Sequence, residues 1–150
     1  MTTDFLLACA HHLLIFALIA VLAAETVLVR PGLSGSAIVR LGGLDRAYGM
    51  LAGLILIVGF SRVFFGLKGW EYYIYYWVFW ANLAAFGIVG LLSIRPTMRI
   101  AEWNRKARAE GGHVVPDGEV SSVRAYLRAE AAVFILIPIL AAAMARGIGG

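Results

Sequence analysis

At 150 residues, 61% of them hydrophobic, with a mean hydropathy of +0.84, the chain is too apolar for a soluble domain, which runs nearer half apolar. Its net charge of +4 comes from cations that flank apolar runs and form no domain of their own, which argues against a nucleic-acid partner. The single cysteine, Cys9, excludes an intramolecular disulfide framework.

Four apolar runs predict an all-α membrane protein. It is one domain over 1–150, with four transmembrane helices in an antiparallel bundle and both termini outside. The first run, about 5–29, is long enough to span a bilayer core, which takes about 20 apolar residues. Its flank MTTD is acidic and Arg30 follows the run, the reverse of a cleaved signal peptide. The second run is about 48–67, and the charges before it, Asp45 and Arg46, read as loop residues. The third is about 74–94, entered through KGWEYYIYYWVFW, whose Trp and Tyr residues suit an interfacial belt. From Arg95 to Arg108 the chain reads as a helix continuing beyond the membrane, with its cations against anionic headgroups. EGGHVVPDGE then breaks the helix, which restarts near Glu119. His113 is expected to be solvated in this connection, 95–124. The fourth run is about 125–145.

Orientation follows from charge. Ten of the thirteen Lys and Arg residues lie between spans one and two or between spans three and four, including the start of span four. The positive-inside rule puts both of those connections in the cytoplasm.

Ionisable groups at membrane depth are costly and seldom face lipid. His11, Leu18 and Glu25 repeat every seven residues and share one face of the first helix, while His12 is turned ~100° away. The shared face favours His11 as the inward histidine. On the second helix Tyr48, Ala52, Ile55, Gly59, Arg62 and Gly66 form one stripe, so Arg62 is expected to face the bundle. Gly49 and Gly53 stand at the GxxxG spacing that favours helix association. Asn82 is the strongly polar side chain within the third span. Pro138 frees the carbonyl of Phe134 on the fourth, where Glu130, Phe134 and Pro138 are read as one face. Two polar clusters follow. An outer one holds His11, His12, Arg62, Asn82 and Pro138. An inner one holds Glu25 and Glu130 with Tyr48, Asp45, Arg30 and Arg128, and reads as an ion-pair lattice.

Five stretches carry a family likeness over almost the whole chain. They are AHHLLIF with AAETVLVRPGL, DRAYG, GFSRVFFGLKG with the aromatics after it, LLSIRPTMRI, and AMARGIG. On these the chain resembles the bacterial membrane-protein family filed as domain of unknown function 2214. The resemblance implies a multi-pass protein of the bacterial inner membrane, with termini periplasmic or extracellular, and names no chemistry. Asn82 stands where that family often has a lysine. A more distant likeness is to the CopD-like group, which includes HemJ-type protoporphyrinogen oxidases. That likeness implies a b-type haem with His11 or His12 as axial ligand, and Arg62 could pair with a propionate.

Three functions fit this reading. The first is a non-enzymatic membrane subunit or scaffold, its partners the lipid bilayer and either a second copy or a larger membrane complex. The second is a haem-binding redox protein. The third is a small-solute or proton-coupled carrier acting as an oligomer, with Glu25, Glu130 and His11 relaying protons. Cys9, His11, His12 and Met144 are soft ligands of the kind copper takes, yet a Cys and a Met in apolar helices read first as packing. No nucleophile–base–acid arrangement, HExxH, CxxC or phosphate loop is present, which argues against a hydrolase of soluble type. Enzymatic activity is otherwise left open.

Overall fold

A computed structural model describes residues 2–66 and 68–148. The end assigned to the second span, Leu67, lies outside the described residues. The chain is helical: α1 Thr2–Leu28, α2 Gly35–Phe65, α3 Gly69–Ile74, α4 Trp77–Glu110, α5 Asp117–Phe134 and α6 Leu136–Ala145. Four helical segments are long and apolar enough to cross a membrane: α1, α2, α4, and α5 with α6.

The helices are longer than the apolar spans. α2 has 31 residues and α4 has 34, which makes them about 46 and 51 Å long against a hydrocarbon core of about 30 Å. The excess lies at one end of the bundle, which also carries the loops rich in arginine and is called here the basic end. α2 begins at Gly35, well before residue 48, because its first turns are amphipathic and not apolar: Ile38 and Leu41 are buried while Val39 and Arg40 are exposed. At the opposite, aromatic end, the third span starts later than 74, since α3 takes Gly69–Ile74 and α4 starts at Trp77. Gly111, in the left-handed region at φ 59°, stops α4.

Pro138 acts as the sequence implies. The fourth span breaks at Ile135 into α5 and α6, and the Ile135 amide makes a long 3.3 Å hydrogen bond to Ala131. The face differs from the expectation, however. Phe134 and Ile137 are buried and Pro138 is exposed, because the turn at Ile135 rotates the following residues round the helix.

α1 packs along α2, α2 along α4, and α4 along both α5 and α6. α1 also meets α5, and among the described residues it has no packing contact with α6. The ring of four therefore closes only toward the basic end. The buried core is concentrated there too. Val29, Leu33, Ile38, Leu41, Ile100, Trp103, Val115, Val120, Val123 and Leu127 pack beneath the loops as they would in a small soluble domain. Trp103 is fully buried, and its indole N–H donates to Glu119 Oε2 at 2.7 Å. The two loops of this end are tied by a bridge between Ser34 and Val114, where the Val115 amide donates to the Leu33 carbonyl at 3.0 Å. Elsewhere large apolar side chains such as Leu13, Phe16, Ile57, Phe64 and Leu91 are exposed, as helices bathed in lipid require.

Candidate functional site

The basic end holds three buried carboxyl groups from three helices. Glu25 of α1 is 2% exposed, Asp45 of α2 is 8% and Glu130 of α5 is 1%. Each is placed by helical period. Glu25 ends the inward row that runs through His11, Leu18 and Leu22. Asp45 lies between Leu41 and Tyr48 on the inward stripe of α2, which runs back to Ile38, about three turns further than the apolar span shows. Glu130 follows Val123 and Leu127 on α5.

The hydroxyl of Tyr48 donates to Glu130 Oε1, joining two helices whose backbones do not touch. Thr97 of α4 donates to Asp45 Oδ1 at 2.7 Å. Glu25 lies within electrostatic reach of both Asp45 and Glu130. Oε1 of Glu25 and Oε2 of Glu130 are buried with no hydrogen-bond partner. An orphaned buried acceptor costs about 1–3 kcal/mol.

The expected ion-pair lattice is absent among the described residues. Arg30 and Arg128 are exposed, and no cation pairs with any of the three carboxyl groups. Arg30, in the loop after α1, and Arg128, on α5, both stand on the outward side, where water and headgroups solvate them better than the bundle interior can. Asp45 is not a loop charge, since α2 already contains it. Thr97 was not legible as a partner because it follows Pro96 at the point where the apolar run has ended. His113 departs from expectation as well. Its side chain is 15% exposed, its Nδ1 lies 3.7 Å from Glu110 Oε2 and its Nε2 is buried without a partner, because the paired loops fold over it.

The other sequence-selected residues lie toward the aromatic end. The His11 ring lies in the seam between α1 and α2, where a Cβ built on Gly59 would stand 3.3 Å from its Cε1. Arg62 is one turn along α2 from Gly59, on the same inward stripe. Nδ1 of His11, Nε of Arg62 and Oδ1 of Asn82 are buried and unpartnered. His12 is exposed, and its Nδ1 engages its own helix at the Ala8 carbonyl, 2.7 Å away. Pro138 does not join this group, being exposed.

The two histidines do not converge on one haem iron. His11 has its Cε1 toward Gly59 in the seam between α1 and α2, and His12 is exposed ~100° further round the helix. Among the described residues no group of three or more His, Cys, Asp or Glu side chains is arranged to hold a metal ion. The aromatic belt packs on itself: Tyr72 stacks on Tyr76 at 5.4 Å, Tyr73 meets Phe79, and Phe79 meets Trp80. Tyr76 also donates to the Ile148 carbonyl, which ties the end of the chain to this loop.

Four long apolar helices, a solvated basic end and sparse polar groups turned inward define a multi-pass α-helical membrane protein. Within that class the chain belongs to the family described as predicted membrane protein, domain of unknown function 2214 (DUF2214), which matches residues 3–149. No match was found among curated proteins or among solved structures. The more distant likeness to the CopD-like group finds no support in these comparisons.

Proposed function

We propose that the chain is a non-enzymatic subunit of the bacterial inner membrane, with both termini outside, that works by associating with a second copy of itself through α2. The observation that carries this reading is the pair Gly49 and Gly53. Both are exposed on α2, four residues apart, and a Cβ at either would meet nothing within 4 Å. They are not used to pack this bundle. A shallow groove of this kind lets another helix approach closely in lipid, and it is self-complementary across a two-fold axis. The arginines of 30–46 and 95–128 share one end, and the positive-inside rule supports a cytoplasmic location for it. The test is oligomeric state in lipid nanodiscs by single-molecule photobleaching. Gly49→Ile with Gly53→Ile is expected to shift two-step traces to one-step traces. A wild-type protein bleaching in single steps would overturn the proposal.

A second reading, a proton-coupled carrier, draws on Glu25, Asp45 and Glu130 lying together with no cation. Carboxyl groups sharing one site can hold a proton among them. His11 toward the other face supplies a second exchangeable group. Reconstituted vesicles carrying a pH gradient would test it. Dissipation faster than in empty vesicles, lost in Glu25→Gln, supports this reading, and equal rates would reject it.

A further inference from the structure

α2 and α4 leave a groove on the outside of the bundle, beyond the level where the apolar spans end. It is a cavity of about 310 Å³, floored by Gly42 and Ile100 and rimmed by Arg46, Asn104, Arg105 and Arg108, with the buried Asp45 among its lining. The charges on α4 are sorted by face. Glu102 pairs with Arg99 at 3.1 Å and with Lys106 at 2.8 Å, so the acid of this stretch is taken up by cations outside the groove. Arg46, Arg105 and Arg108 form no ion pair among the described residues.

Two of the three are also held in place. Arg46 Nε donates to the Gly42 carbonyl at 3.2 Å, and Arg108 Nε donates to Asn104 Oδ1 at 3.1 Å. Each guanidinium is thus anchored by its Nε, with its two terminal NH₂ groups left to make a fork. A planar fork of that kind matches the oxygens of a phosphate. Asn104 is itself seated against Gly42, where any Cβ would take the place of its amide. The one carboxylate present, Asp45, is engaged by Thr97 and is outnumbered three to one.

We infer that this groove binds a phosphate-bearing anion between Arg46, Arg105 and Arg108. Two sources supply that chemistry: the headgroup of an anionic phospholipid in the adjoining leaflet, or phosphate free in solution. Arg46 stands at the edge of the apolar span of α2, and the Arg108 side chain reaches back along α4 to Asn104, nearer the membrane, which suits the headgroup. Each arginine that reaches the phosphate contributes about fivefold in affinity, so loss of all three costs about a hundredfold.

The test is native mass spectrometry of the detergent-solubilised full chain, titrated with dioleoyl phosphatidylglycerol and separately with dioleoyl phosphatidylcholine. Phosphatidylglycerol is expected to bind at one preferred site, and phosphatidylcholine to bind only weakly. Arg46→Gln, Arg105→Gln and Arg108→Gln together are expected to lose about a hundredfold, while Arg99→Gln with Lys106→Gln keeps wild-type binding. The single variant Arg105→Gln, an exposed change, is expected to lose about fivefold and keeps the test valid should the triple variant misfold. Inorganic phosphate is then added in competition. Displacement of the lipid assigns the groove to free phosphate, and retention assigns it to the headgroup. Equal binding by the wild type and the groove variants, or equal loss in the control pair, would overturn the site.

Discussion

His11 and His12 are neighbours in sequence and opposites in environment, since one residue along a helix is a turn of ~100°. His11 lies on the α2 seam, so His11→Ala opens a gap there, while His12→Ala removes a ring that faces outward. The first is expected to lower unfolding free energy by about 1–3 kcal/mol and the second by less than about 0.5, read by denaturation in mixed micelles. Tyr48→Phe tests the basic end. It leaves both oxygens of Glu130 without a hydrogen bond and is expected to cost about 1–3 kcal/mol by the same measurement. A variant as stable as the wild type would mean that water already satisfies Glu130.

At the scale of elements, α4 behaves as two helices in one. Its first half crosses the membrane, and its second half anchors a packed cap through Trp103. Trp103→Ala is expected to cost about 3–5 kcal/mol, as large core truncations do, and to loosen α5 before it disturbs the membrane-crossing half. Amide hydrogen exchange resolves the two, with faster exchange expected first over 117–127. The loop pairing makes a narrower claim. Val115→Pro removes the N–H given to Leu33 and is expected to speed exchange over 111–116 while leaving 77–95 unchanged. Uniform acceleration along α4 would show that the cap and the spanning half unfold as one.

For the whole molecule, the asymmetry of closure matters most. Among the described residues α1 meets α5 but not α6, so the ring of helices is closed at its basic end, while at the other the Tyr76–Ile148 contact ties the segment after α6 to the loop before α4. Placing the basic end in the cytoplasm makes a direct prediction. In a Cys9→Ser background, Thr3→Cys is expected to react with a membrane-impermeant maleimide added to spheroplasts, and Arg108→Cys only after lysis. The opposite pattern would invert the topology and move the arginine groove to the outer leaflet. A second copy across Gly49 and Gly53 uses the outer face of α2 and leaves the cap free.

Local chemistry along the chain determines much of this. Hydropathy marks four spans, and helical period puts His11, Leu18 and Glu25 on one inward face and Tyr48, Ile55, Gly59 and Arg62 on another. The stripe on α2 could have been followed back through Asp45, Leu41 and Ile38. It was not legible as buried because hydropathy registers lipid-facing residues and misses a water-facing helix that packs by one side. The tertiary structure alone decides which polar groups have partners. That Glu25 and Glu130 have no cation partner among the described residues, and that Arg46 meets Arg105 and Arg108 across a groove with none of them in an ion pair there, are matters of distance between helices. A sequence records residue types along one helix; the gap between α2 and α4 exists only once both are packed.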